Sequence, residues 1–365
     1  MSKVVIDNIV YSIQKIGGIS QVFYEITTRL MRDSIYKVEF LECENANENF
    51  YRKLLDIPIV SITYFAKKWL KLFRYINPKP GIKDTYIFHS SYYRTSRDKS
   101  AINVTTVHDF TYERSKSRSF ASLVHIWQQK RAVVNSDIVV CISENTKRDL
   151  LYYYKNIDEN KIHVVYNGVS DEYKKLLSLD CIELPFEIKT YCIYVGVRRK
   201  YKNYDLVVDA ISKTKYKLVL IGSSLTKEEK EVLDFKLGHD RYLCLSGVSN
   251  DRLNQLYNGA FCLLYLSSYE GFGIPCLEAQ KAGCPVIAYN SSSIPEVVCN
   301  KNMLVDSLDV ASVLNVINKL KSTEYRTQII NEGIAFAEKF SWDKTYRDLS
   351  ALYQKAMNKT MNTHE

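Results

Sequence analysis

Two glutamates, Glu270 and Glu278, flank a glycine-rich corner in the stretch Ser267-Ser268-Tyr269-Glu270-Gly271-Phe272-Gly273-Ile274-Pro275-Cys276-Leu277-Glu278-Ala279. The apolar run 260–266 before it predicts a buried parallel strand, and 275–282 after it predicts a helix. Gly271 and Gly273 carry no side chain, so the backbone there can approach a ligand closely. The amides and positive dipole end of the following helix favour an anion. Glu278, further along that helix, can accept two hydrogen bonds from a vicinal diol. Close backbone approach, an anion site and a diol acceptor together suit a sugar nucleotide.

Other residues with chemistry to offer sit at the ends of predicted strands. His108-Asp109 follows a strand over 102–107, and His89-Ser90-Ser91 follows one over 86–88. Ligands of open parallel sheets lie beyond the carboxyl ends of strands, which makes His108 a candidate, although a lone histidine there is also a common structural residue. Arg198-Arg199-Lys200-Tyr201-Lys202 follows a strand over 191–195. It reads equally as a solvated basic loop and as a pair of phosphate-binding cations, Arg a fork donor and Lys a point charge. Gly17-Gly18 precedes a helix over 19–31, and taken alone it is a turn. Its spacing is not the Gly-x-Gly-x-x-Gly of nicotinamide sites. No Asp-x-Asp, a common metal-holding pair, occurs in the chain.

These residues need a scaffold, and its pattern is strand, turn, helix, repeated through both halves. Such alternation defines an α/β protein with parallel sheets. At 365 residues two domains are expected, with 170–190, rich in Asp, Lys, Glu and Pro, as the linker. After it the predicted order is strand 191–195, helix 205–212, strand 217–221, helix 227–236, strand 241–245 and helix 251–258. The central strand and the Glu270 corner follow. Helical segments over 310–340 and 342–357 close the pattern. One segment stands apart within 61–83. Phe65, Trp69, Leu72, Phe73 and Ile76 share a helical face, and Lys67, Lys68, Lys71 and Arg74 lie largely opposite. A basic amphipathic helix over 65–76 would suit either an anionic membrane surface or ordinary packing of its aromatics into the core.

No apolar stretch approaches the roughly 18 residues of a membrane span, and the start lacks the regions of a signal peptide. Nine cysteines without Cys-x-x-Cys argue against a disulfide framework and for a reducing cytoplasm. The net charge of +9 fits phosphorylated substrates or an anionic surface. No nucleic-acid motif accompanies it, so no nucleic acid is expected.

Taken together, the motifs resemble those of the retaining family 4 glycosyltransferases of bacterial surface-polysaccharide type. The resemblance spans nearly the whole chain. It rests on Gly17-Gly18, Val107-His108-Asp109, Val140-Cys141-Ile142-Ser143-Glu144, Val164-Val165-Tyr166-Asn167-Gly168-Val169, Tyr194 through Gly196 and Arg198 to Asn203, and Tyr269-Glu270-Gly271-Phe272-Gly273 through Glu278-Ala279 to Gly283-Cys284-Pro285-Val286. It implies the GT-B fold, two Rossmann-like domains facing each other across a cleft. Residues 1–175 would be the acceptor-side domain and 190–340 the nucleotide-sugar domain, with a helix over 341–358 crossing back to the first.

The resemblance also implies roles. Glu278 would accept from the ribose hydroxyls, and Glu270 would contact the transferred sugar. The amides of Gly271, Phe272, Gly273 and Ile274 would line sugar and diphosphate. Arg198 and Lys202 would pair with the diphosphate, with neighbouring Arg199 open as the alternative to Arg198, because the family's arginine directly after glycine is Val197 here. Gly17 and Gly18 would reach the diphosphate from the first domain, and His108 would approach the sugar.

The implied reaction needs no cofactor and no metal. The donor would be a nucleotide-diphosphate-sugar, first GDP-mannose, and the acceptor a lipid-diphosphate-linked saccharide at the inner face of the cytoplasmic membrane. The alternatives are an inactive GT-B accessory protein, or another enzyme of this fold such as a sugar-nucleotide epimerase.

Overall fold

The computed structural model describes residues 1–115, 119–179, 183 and 185–362. The chain forms two compact units. The first is Met1–Asn167 with the C-terminal helix Trp342–Asn362, and the second is Gly168–Ser341. Residues 168–175 therefore count with the second unit. The reason is local: the amides of Lys174 and Leu176 donate to Asn254 and Asn258 side chains at 3.0 and 2.8 Å, and Tyr173 donates to Asn250.

The first unit is a seven-stranded parallel sheet. Its strands are β1 (Ser2–Asp7), β2 (Tyr36–Cys43), β3 (Ile62–Phe65), β4 (Tyr86–Ser90), β5 (Ala101–Val107), β6 (Ile138–Cys141) and β7 (Ile162–Val164). Their order is β3-β2-β1-β4-β5-β6-β7. The glycine pair opens α1 (Gly18–Arg32), whose Val22, Phe23, Ile26 and Leu30 are buried at helical spacing. Further along come α2 (Phe120–Asn135) and α3 (Glu144–Tyr153), the latter capped by the Ser143 hydroxyl, which accepts from the Thr146 amide at 3.0 Å. The C-terminal helix packs on this unit. Asp343 pairs with Arg29, and the Tyr353 hydroxyl lies 2.5 Å from His89 Nδ1.

β2 is not among the strands read from the sequence. Its charged residues hide the pattern, and one of them, Glu42, is fully buried against Arg52 at 2.7 Å. A further correction concerns 65–76. The single amphipathic helix expected there does not form. Phe65 ends β3, paired with Cys43 of β2; a 3-10 turn spans Lys67–Trp69; and only Leu70–Phe73 is α-helical. The β-branched and aromatic run Ile62 to Phe65 prefers pairing with β2, and Pro78 and Pro80 forbid helical continuation. Phe73 still meets Phe65 and Trp69, with ring centroids 5.7 and 6.2 Å away.

The second unit is a six-stranded parallel sheet of β8 (Tyr191–Val195), β9 (Lys217–Ile221), β10 (Tyr242–Leu245), β11 (Leu263–Tyr265), β12 (Val286–Tyr289) and β13 (Leu304–Val305). The order is β10-β9-β8-β11-β12-β13. Its helices include α4 (Tyr204–Ser212), α5 (Lys227–Lys236), α6 (Asn250–Gly259) and α7 (Ile274–Lys281). β8 and β11 are adjacent although β9 and β10 lie between them in sequence. Strand order reverses there, and such a switch point is where open α/β sheets hold ligands. No helix among the described residues is long and apolar enough to cross a membrane.

Candidate active site

The Glu270 corner lies at this switch point, between the end of β11 and the start of α7. Gly273 sits at the helix entry with φ +111°. A Cβ there would stand 3.0 Å from Ile294 Cδ1 and 3.2 Å from Val297 Cγ2. Both the backbone conformation and the space therefore demand glycine. Pro275 occupies the first turn, where its missing N–H costs nothing. We expect Gly273→Ala to lower the melting temperature of the second unit by several degrees, since a side chain at positive φ costs roughly 1–2 kcal/mol before the clash. A thermal melt checks this, and an unchanged midpoint would show that the corner can relax.

The corner is fixed from two sides. Ser292 Oγ accepts from the Glu270 amide at 2.9 Å, and the Ser293 hydroxyl is 2.9 and 2.8 Å from the carbonyls of Glu270 and Phe272. On the other side Asn203, itself left-handed at φ +49°, donates to Leu266 O and Ser268 Oγ at 2.7 and 2.8 Å. The Ser268 amide donates to Tyr201 O at 2.7 Å. These bonds draw the basic loop after β8 against the corner. As a result Lys202 Nζ donates to Glu270 Oε1, and both side chains are largely buried. The ammonium also lies 5.3 Å from the ring centroids of Tyr201 and Tyr265.

Glu278 is buried on α7. Its carboxyl is pushed up to about 7 by burial, against hydrogen bonds from Tyr173 and Tyr257. The Tyr257 hydroxyl donates to Oε2 at 3.4 Å. Two residues earlier, burial and then the nearby Glu270 carboxylate push the Cys276 thiol up. Arg198 goes elsewhere. Its Nε pairs with Glu229 at 2.8 Å, its Nη2 donates to Ser224 O at 2.8 Å, and its guanidinium lies 6.0 Å from the Tyr204 ring. The structure thus brings Lys202 and Glu270 together, sets Glu278 on the helix that follows, and holds Arg198 at the turn after β9. Arg199 is exposed.

In the first unit, His108 follows β5 and is buried, with its pKa lowered to about 4 by burial. It is therefore neutral near pH 7. Its Nε2 has no hydrogen-bond partner among the described residues. Phe23 of α1 packs against both His108 and His89, with centroids 6.4 and 5.1 Å away. Gly17 caps α1 with φ 171°, an extended conformation, and a Cβ on Gly18 would meet nothing within 4 Å. A Cβ on Gly17 would stand 2.0 Å from Gln14 Oε1, so a side chain there requires the Gln14 side chain to move, whereas Gly18 has space for one.

Several neighbours were not read from the sequence. Ser292-Ser293 come from the loop after β12, Tyr173 from the chain that leads into the second unit, and Tyr257 from α6, all far from the corner in sequence. Elsewhere in the first unit, Tyr92, Tyr93 and Tyr112 surround His125 at 5.8, 5.4 and 4.2 Å between centroids, with Arg74 over Tyr92. The Gln129 side chain, from the same helix as His125, donates to Asp109 O at 3.1 Å.

Two Rossmann-like parallel sheets with a glycine corner at the second sheet's switch point define the GT-B class, and the comparisons with known proteins agree. The description "Glycosyltransferase Family 4" matches residues 16–173, and "Glycosyl transferases group 1" matches 182–336. The chain belongs to the family 4 type glycosyltransferases. It is 26% identical over 281 residues to the O-antigen chain mannosyltransferase B of Escherichia coli, covering 71% of each chain. It is 25% identical over 286 residues, 74% of each chain, to the N-acetylgalactosamine-N,N'-diacetylbacillosaminyl-diphospho-undecaprenol 4-alpha-N-acetylgalactosaminyltransferase of Campylobacter jejuni. Among solved structures, sucrose-phosphate synthase of Thermosynechococcus elongatus superposes with a TM-score of 0.73 at 16% identity, over 98% of this chain and 100% of that one. WaaG, a glycosyltransferase involved in lipopolysaccharide biosynthesis, gives 0.67 at 12% identity, over 96% and 99%. These structural likenesses bear on the fold.

Proposed function

We propose that the protein transfers a sugar, with retention of configuration and without a metal, from a nucleotide-diphosphate-sugar to a lipid-diphosphate-linked saccharide in surface-polysaccharide synthesis. The observation that carries this reading is the Lys202–Glu270 pair just ahead of α7, with Glu278 buried one turn into that helix. GDP-mannose is the first donor to test, supported by the mannosyltransferase relative. The lipid-diphosphate acceptor is supported by the diphospho-undecaprenol named in the Campylobacter relative's activity.

The chemistry follows from charge. As the bond from the sugar C1 to the β-phosphate oxygen breaks, negative charge grows on the phosphate. Lys202 and the α7 amides supply positive potential where that charge develops. The departing phosphate oxygen takes the proton of the acceptor hydroxyl as the new bond forms on the same face of C1. Glu270, held by Lys202, binds sugar hydroxyls and balances charge at C1; it is not assigned as a covalent nucleophile. Arg198 reaches the diphosphate by exchanging Glu229 for phosphate. Neutral His108 offers its unpartnered ring nitrogen to a sugar hydroxyl. In cells the protein would work at the cytoplasmic membrane face.

Melting the protein with GDP, UDP, dTDP and ADP tests the nucleotide site, because a ligand of the native state raises the midpoint. GDP is expected to shift it, and release of GDP from GDP-mannose should continue in EDTA. No shift with any of the four would remove the donor reading. Turnover abolished by EDTA and restored by a divalent ion would remove the metal-free one.

A further inference from the structure

His89 takes no part in the transfer chemistry, yet the first unit is built to hold it. It lies in β4, in register with Ile6 of β1 and Val104 of β5. Side chains alternate along a strand. Val104, Thr106 and, just past the end of β5, His108 therefore continue the face to which His89 belongs. Phe23 of α1 and Tyr353 of the C-terminal helix cover that face. His89, Phe23 and Tyr353 are fully buried, and Thr106 and His108 nearly so.

Both ring nitrogens of His89 are engaged. Nδ1 lies 2.5 Å from the Tyr353 hydroxyl, and Nε2 lies 2.8 Å from the Thr106 hydroxyl. Burial, and then the nearby His108 ring, lowers the His89 pKa to about 3, so the ring is neutral near pH 7. A neutral imidazole carries one N–H, so it donates to one of these hydroxyls and accepts from the other. Tyr353, His89 and Thr106 thus form a directed chain of hydrogen bonds across the sheet face. Removing either hydroxyl leaves a buried nitrogen of His89 unpaired.

Docking of the C-terminal helix does not need this chain. Asp343 already pairs with Arg29 at 2.6 Å, the Tyr346 hydroxyl donates to Asp33 at 2.7 Å, and the Tyr36 hydroxyl donates to Ser350 O at 3.2 Å. The Tyr353 ring also packs edge-on against Tyr36, with centroids 6.2 Å apart. A phenylalanine could make that packing. What the hydroxyl adds is the bond to His89, and through it the hold on Thr106, which lies two residues ahead of His108.

His108 depends on that hold. Its Nε2 has no hydrogen-bond partner among the described residues, and its ring leans on Phe23 at 6.4 Å between centroids. Phe23 is backed in turn by His89 at 5.1 Å. We infer that Tyr353 and His89 are positioning residues for His108: their hydrogen-bond chain fixes the Thr106 and Phe23 contacts that aim its ring, with the role of His108 taken from the function proposed above. The C-terminal helix then serves the chemistry of the first unit as well as its packing. A displacement of about 1 Å can cost about a hundredfold in rate, so losing one bond of the chain should cost about tenfold.

Four variants of the full chain test this. Tyr353→Phe and Thr106→Val each remove one hydroxyl and keep the shape. Thr106→Ser keeps the hydroxyl, and Tyr346→Phe removes a bond of the same helix away from His89. The first readout is NMR of histidine-labelled protein without ligand, with the His108 ring signals assigned by their loss in His108→Gln. They should shift or broaden in Tyr353→Phe and Thr106→Val, and match the parent in Thr106→Ser and Tyr346→Phe. The second readout is release of GDP from GDP-mannose at saturating donor. It should fall about tenfold in the first pair and stay within about twofold in the second, while the rise in melting midpoint on adding GDP is the same in all four. Where one of the first pair loses its fold, the other decides. Unchanged His108 signals in Tyr353→Phe and Thr106→Val would overturn the inference whatever the rate. So would a parental rate in both, or an equal loss of rate in Tyr346→Phe, which would make the helix a clasp only. If the parent releases no GDP, the donor reading falls by itself, and the ring signals alone decide for or against the positioning of His108.

Discussion

Lys202→Ala is expected to slow release of the nucleoside diphosphate from its sugar donor by about a hundred- to a thousand-fold, the usual effect of removing one prearranged donor from a developing anion. The size follows from where the ammonium sits. It is largely buried, fixed by the Asn203 and Tyr201 bonds to the Ser268 loop, and paired with Glu270 just ahead of α7. Water can substitute poorly for a cation held in such a place. The variant also leaves Glu270 without its partner, which adds repulsion toward the diphosphate. Lys202→Arg should recover part of the rate, because charge is kept while the fork geometry is not matched. The measurement is turnover under saturating donor, so that loss of the transition-state contact shows in kcat. A rate within threefold of the parent would remove Lys202 from the chemistry.

Glu278→Ala should weaken nucleoside-diphosphate binding by roughly a hundredfold or more. A hydrogen bond to a charged group contributes about 1.5–3 kcal/mol, and a ribose diol would make two. A 2′-deoxy nucleotide should lose one of them against the parent and nothing further against the variant. The pH dependence is a sharper signature. In the free protein burial favours the protonated acid, with a pKa of about 7 against an ordinary 4.5. This group thus stabilises the free fold fully below pH 4.5, and that contribution is lost as pH rises through about 7. A diol donating to the carboxylate favours the ionised form instead. Nucleotide affinity should therefore rise between about pH 5 and 7, with proton release seen as buffer-dependent heat in calorimetry. Glu278→Gln should flatten this profile. A parent profile that is already flat would mean that no ligand hydroxyl meets Glu278.

What could be read from the chain beforehand was local. The corner at Glu270 announces itself because strand, glycines, proline and helix follow one another closely, and each imposes its own backbone constraint. Helix α5 has the bounds expected from the sequence, 227–236, and the structure adds that Thr226 caps it in a capping box with Glu229. The rest depended on partners far away in sequence. β2 contains Glu42, a residue whose burial makes sense only beside Arg52. The 65–76 pattern has helical spacing, yet pairing of Phe65 with β2 and the prolines beyond Asn77 override it. Lys202 could be named a phosphate ligand by resemblance, but its contact with Glu270 bridges 68 positions and needed the structure. Arg198 illustrates the limit of a motif: Glu229 and the Ser223-Ser224 turn, not the corner, hold it in this state.

The most direct test of the proposed site is a crystal structure of the protein with whichever nucleoside diphosphate raises its melting point most. The expected result has the ribose hydroxyls on the Glu278 carboxylate, and the β-phosphate within hydrogen-bond reach of Lys202 Nζ and the amides at Gly273 and Ile274. A nucleotide bound away from α7, with the Lys202–Glu270 pair undisturbed and Glu278 still facing only its tyrosines, would contradict it.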